Sequence, residues 1–222
     1  EYYMALVPDS RSWFRLADMA AKDSFHIRPE AGPTLERLGF LRFEDFFLPP
    51  SSEVVSEVRD RIVYRVAGET GPGGSGYFLK VFKNPGANRP WSQLAAFERP
   101  RSCAEIEVER LQWLEDHHFL APRWVAWGAE MSGFSEIRSF LMTETLVGKQ
   151  GLDEWLNAAR AALAPREFRI RKRRRLTGAA RLLANLHEAG FHHPYPYLRH
   201  FFVPEFGSAD GPEPQEPPIA VI

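Results

Sequence analysis

Residues 77–83 read YFLKVFK and residues 104–117 read AEIEVERLQWLEDH, and the reading of these two stretches decides the fold. The first is a short aromatic and β-branched run with Lys80 at its centre, which predicts a strand. In the second and the residue that follows it, Glu107, Leu111, Leu114 and His118 recur at i, i+4, i+7 and i+11, which predicts one face of a helix. Taken alone, a strand lysine carries its ammonium group to water. A glutamate on the core-facing side of the next helix offers Lys80 a different use, as a cation held at a fixed point.

Outward from this pair, RIVYRVAG (61–68) is a second strand-like run, joined to YFLKVFK by ETGPGGSG (69–76), so the two are expected as an antiparallel hairpin. FEDFFL (43–48) reads as another strand. APRWVAWG (121–128) and SEIRSFLMTETL (135–146) give two more, with Gly128–Ser135 expected as their turn. From Gly151 the pattern turns helical: LDEWLNAARAAL (152–163) and LTGAARLLANLHEAG (176–190), the latter stopped by Gly190, are followed by FHHPYPYLRHFFV and a final apolar PPIAVI strand. The fold class is α+β. The expected divisions are 1–37, a lead-in of uncertain structure; 38–143, a β-rich lobe with one helix; and 144–222, a connector and partial helical lobe.

Composition narrows the function classes. The 222 residues carry 28 Lys and Arg against 29 Asp and Glu, a net charge of −1 that argues against a dedicated nucleic-acid binder. With Cys103 as its single cysteine the chain has no internal disulfide, which suits a reducing compartment. No apolar run reaches the roughly 18 residues of a spanning helix. A cytoplasmic protein is expected. The start without Met and the stop on PPIAVI are expected to be cuts, with part of the machinery beyond them.

The order of strand, lysine strand, glutamate helix, two strands, then helices and a histidine loop is that of the protein-kinase fold. Residues 186–203, LHEAGFHHPYPYLRHFFV, resemble the LHxxGxxHRDxYxxHFxx loop of the lipopolysaccharide kinase (Kdo/WaaP) family, with His187, Gly190, His193, Tyr197, His200 and Phe201 on matching positions. The resemblance runs from about Leu38 to Ile222. It implies a two-lobe kinase-like fold, ATP and Mg2+ as cofactors, and a lipopolysaccharide core sugar, Kdo or heptose, as acceptor. It also implies roles: Lys80 on the nucleotide phosphates, Glu107 orienting Lys80, Glu144, Thr145 and Leu146 as the adenine-reading hinge, His193 and His200 in the catalytic loop, and His200 near the metal.

The departure falls at the catalytic centre. Where the family has Arg-Asp, this chain has Pro194 and Tyr195. The Asp would orient the acceptor hydroxyl, and a phenol with an ordinary pKa near 10 cannot act as a carboxylate base at neutral pH. A metal-binding Asp is expected directly after Ile222. Two rivals stand beside the transferase: a pseudokinase that binds nucleotide or a partner without turnover, which Pro194 and Tyr195 favour, and a kinase-fold phosphotransferase acting on another small molecule or a protein. No phosphotransfer is expected from residues 1–222 themselves.

Other motifs are weaker. Gly71, Gly73 and Gly76 satisfy G-x-G-x-x-G but lead into a strand, so a hairpin turn is their expected use. SSEVVSEV (51–58) is expected where a phosphate-covering loop would lie. The histidines lack the partners of a zinc site. RIRKRRR offers Arg169, Arg171, Lys172, Arg173, Arg174 and Arg175, either as solvated helix turns or as attraction to anionic phosphosugars and to the cytoplasmic face of the inner membrane.

Overall fold

A computed structural model describes residues 22–68, 76–83, 100–133, 135–193, 196–207 and 220–221. Six strands form one antiparallel sheet: β1 (Lys22–Ile27), β2 (Ser52–Val58), β3 (Arg61–Val66), β4 (Tyr77–Lys83), β5 (Trp124–Ser132) and β6 (Ser135–Glu144), in the order β1-β5-β6-β4-β3-β2. The hairpin expected from RIVYRV and YFLKVFK is present, with Val63 opposite Lys80 and Arg61 opposite Phe82.

Alternation along these strands gives the sheet two faces with different covers. Val66, Tyr77, Leu79, Val81, Phe140 and Met142 point to one side and are buried against Leu35, Phe40, Phe43, Phe46 and Phe47. Leu35 comes from helix α1 (Gly32–Arg37), Phe43 and Phe46 from a 3-10 helix, Phe43–Phe46, and Phe40 and Phe47 from the chain beside them. Phe140 is the centre of this layer: its ring stacks on Phe46 at 4.0 Å and lies 5.7 to 6.0 Å from Phe25, Phe43 and Phe47. Lys80, Phe82 and Leu141 point to the other side, where helix α2 (Cys103–Asp116) packs with Leu111 and Leu114 buried.

Helices α3 (Leu152–Ala162) and α4 (Pro165–Glu188) follow β7 (Lys149–Gly151). Trp155 and Leu186 anchor them in the core shared with α2. A small sheet, in the order β7-β8-β9 with β8 at Phe201–Pro204 and β9 at Ala220–Val221, brings the chain after the histidine loop back beneath the large sheet. The Val221 amide donates to the Leu120 carbonyl at 3.0 Å and ties the two parts together.

Several sequence expectations change. FEDFFL is a 3-10 helix: Asp45 accepts the Leu41 and Arg42 amides at 2.8 and 2.7 Å, a local competition that breaks a strand, and Phe43 and Phe46 then face the core three residues apart. Residues 52–58 of SSEVVSEV are strand β2, not a loop, because they pair with β3 on both sides of a register shift between Val54 and Ser56. The 128–135 turn is shorter than expected: β5 runs on through Gly128 to Ser132, and Gly133, at φ +57°, lies in the reversal. His118 lies past the end of α2 at φ +60°. α4 starts at Pro165, eleven residues before the expected helix, so it takes in the whole basic run. Residues 22–37 supply β1 and α1. Gly71 and Gly73 lie outside the described residues.

Candidate active site

Lys80 stands at the middle of β4, with a strand on either side, so its Cα is fixed by two ladders. Its Nζ donates to Glu107 Oε2 at 2.5 Å, with side chains 24% and 29% exposed. An ion pair this open adds little to stability. Its chemical content is position: one ammonium group stands at the sheet surface, with N–H donors beyond the one Glu107 takes.

Glu107 is useful only if α2 is held still, and the helix is held at both ends. Ser102 caps it by accepting the Glu105 amide at 3.0 Å. The next two orphan amides go to side chains of β6: Cys103 N–H to Glu136 at 2.8 Å and Ala104 N–H to the fully buried Ser139 hydroxyl at 3.2 Å. At the other end the Arg28 guanidinium forks onto both oxygens of Glu115 and lies 4.4 Å from the Trp124 ring. The sequence reading missed these anchors. A serine within the apolar SFLM run was the signal for Ser139.

Two expectations follow. Ser139→Ala leaves the Ala104 amide and a Glu136 oxygen without their partner, so it should destabilise the fold by about 1–3 kcal/mol in denaturant titration. The hydrogen bond from Arg28 and its charge hold the Glu115 carboxyl below its ordinary range. A depressed carboxylate contributes stability above its unfolded pKa of about 4.3 and loses it as pH falls through the lower folded value. Melting temperature should therefore fall on acidification below about pH 4, less steeply in Arg28→Ala.

At the expected hinge β6 ends on Glu144. The Glu144 amide donates to Arg123 O at 2.8 Å and the Thr145 amide to Gly76 O at 2.9 Å, so both are used inside the protein. A Cβ on Gly76 would sit 3.2 Å from the Val66 carbonyl, which explains why a glycine enters β4 here.

In the loop, the His193 and His200 rings lie 5.0 Å apart, the Tyr197 ring stands edge-on to His200 at 5.6 Å, and Arg199 covers Tyr197 at 4.8 Å. Pro194 and Tyr195 lie outside the described residues. Among the described residues no three His, Cys, Asp or Glu converge as a metal site.

The model of the lipopolysaccharide kinase (Kdo/WaaP) family matches residues 52–212, about three quarters of the chain. The chain belongs to this family. A solved structure described as WaaP in complex with acyl carrier protein has a similar fold, with a TM-score of 0.55 and 22% identity over 89% of this chain and 69% of that one. No curated protein sequence matches. The match takes in β2 to β8, and with them Lys80, Glu107 and the histidine loop. The α+β, kinase-like architecture expected from the order of elements is thereby shown.

Proposed function

We propose that the protein binds ATP at the sheet face marked by Lys80 and Glu107, for transfer of the γ-phosphate to a hydroxyl of a lipopolysaccharide core sugar, Kdo or heptose. The observation that carries this reading is the Lys80 to Glu107 contact in a chain of this family. Bound ATP supplies the phosphoryl group. Lys80 neutralises phosphate charge, and Glu107 keeps the ammonium at the sheet surface rather than in water. With the Glu144 and Thr145 amides already donating, the adenine edge falls to the Leu146 and Val147 backbone. The described residues do not assemble a site for Mg2+, and no step is assigned to it.

One observation favours a second reading, nucleotide binding without turnover: Tyr195 stands where the family's loop carries Asp. Loss of a positioned base lowers transfer by about 10²–10⁴. The test is phosphate transfer from ATP to purified lipopolysaccharide core by the protein and by Tyr195→Asp. Product from the unaltered protein supports the transferase. Binding without product, with transfer gained in Tyr195→Asp, supports the second reading. Absence of both binding and transfer rejects the two together.

The basic run bears on where the reaction would occur. Arg169, Lys172 and Arg173 are exposed and line, with Leu176, Thr177 and Ala180, a groove of about 480 Å³ along α4. Arg171 is paired with Glu167 at 2.6 Å, and Arg175 is buried with its guanidinium 5.2 Å from the Trp155 ring, so Arg175 is not part of a surface patch. Among the described residues no helix is long and apolar enough to cross a membrane. Peripheral contact with an anionic surface, at about 1 kcal/mol per basic residue, is the use we propose for this face. Binding to phosphatidylglycerol vesicles should fall by about 10²-fold in the Arg169→Glu, Lys172→Glu, Arg173→Glu triple variant.

A further inference from the structure

A protein kinase covers the nucleotide phosphates with the amides of a glycine-rich turn between its first two strands. Here the corresponding turn is Arg59-Asp60, between β2 and β3, and it contains no glycine. It is closed against β4 by the Lys83 amide, which donates to the Asp60 carbonyl at 2.9 Å, and neither turn residue has a positive φ. A turn fixed in this way does not present a row of close amides to an anion. The charge that such amides would meet needs another partner.

Arg61, the first residue of β3, stands in the right place. It pairs with Phe82, and Val63 pairs with Lys80, so Arg61 and Lys80 lie on one face of the sheet as diagonal neighbours on adjacent strands. Diagonal pairs sit about 7–8 Å apart, within the joint reach of two long side chains. The Arg61 side chain is only partly exposed, and its Nε, enclosed from solvent, has no hydrogen-bond partner among the described residues. Arg65, four residues on along the same face, is different: it is exposed, pairs with Glu53 at 3.9 Å and lies 5.7 Å from the Phe78 ring.

We infer that Arg61 is a second cation of the nucleotide site, binding the terminal phosphates of the polyphosphate tail beyond those that Lys80 takes. A guanidinium presents a planar fork of donors that matches two phosphate oxygens at once. On this arrangement one arginine side chain does the work of a glycine-rich turn. The inference rests on the ATP reading above.

The experiment is calorimetric titration of the full chain with Mg-ATP, Mg-ADP and adenosine, using the unaltered protein, Arg61→Gln, Arg61→Lys and Arg65→Gln. Arg61→Gln should weaken Mg-ATP by about 10- to 50-fold, on the scale of a charge-assisted hydrogen bond. It should weaken Mg-ADP less and leave adenosine unchanged. Arg61→Lys, which keeps the charge without the fork, should recover only part of the loss, and Arg65→Gln should bind Mg-ATP within about twofold of the unaltered protein. An Arg61→Gln protein that binds Mg-ATP normally, loses adenosine as well, or is matched by Arg65→Gln overturns the inference and leaves the ATP reading standing. An unaltered protein that binds none of the three overturns the ATP reading and the inference with it.

Discussion

Lys80→Ala is expected to lower affinity for Mg-ATP by about two orders of magnitude and to remove the rise in melting temperature that Mg-ATP gives. Two effects add. The ammonium's charge-assisted hydrogen bonds to phosphate are lost, at about 1.5–3 kcal/mol. Glu107, 2.5 Å from Nζ in the intact pair, is left facing the phosphates with no cation between, and like charges repel. Glu107→Gln should cost less, about tenfold, because the cation stays and only its direction is loosened. The double variant should bind better than Lys80→Ala alone. That ordering, read by calorimetry, separates a phosphate clamp from a merely structural ion pair, whose loss would leave nucleotide affinity unchanged.

Phe140→Ala is the substitution expected to be most damaging to the fold. The side chain is fully buried, stacked on Phe46 at 4.0 Å and ringed by Phe25, Phe43 and Phe47. Truncating a buried phenylalanine to alanine costs about 3–5 kcal/mol, because the cavity left behind collapses only in part. A domain with a total stability of about 5–15 kcal/mol loses a large share of it. The layer between the 3-10 helix and the sheet would loosen first, and urea denaturation should show the midpoint drop. Phe140→Leu, which keeps much of the volume, should cost less than half as much.

The contrast between these two residues shows which parts of the fold were legible in the chain. Lys80 and Glu107 were readable because each follows a local rule: alternation places a strand lysine, and a 3.6-residue period places a helix glutamate. Their meeting followed from the order of elements. The Phe140 layer was not readable. FEDFFL has the composition of a strand, and only the Asp45 carboxylate, which takes the Leu41 and Arg42 amides, turns it into a 3-10 helix that caps the sheet.

Long-range pairs stayed hidden for a similar reason. Arg28 and Glu115 are 87 residues apart, and nothing local marks either as the partner of the other. Arg175 read as one more charge in a basic run, yet its place on α4 turns it onto Trp155 and into the core. The basic run therefore had to be divided residue by residue, by which side of one helix each occupies. The turn at Arg59-Asp60 was misplaced because SSEVVSEV was expected at the phosphate-covering loop, whereas residues 52–58 pair with β3 as a strand.

The measurement closest to the central claim is the structure of this protein with a non-hydrolysable ATP analogue. The triphosphate should lie against the face of β3 and β4 that carries Lys80, with Lys80 Nζ within hydrogen-bond distance of a phosphate oxygen while still touching Glu107, and with the adenine edge against the backbone after Thr145. An analogue seated elsewhere on the molecule, or on that face with Lys80 bound to Glu107 alone and no phosphate near it, would contradict the account.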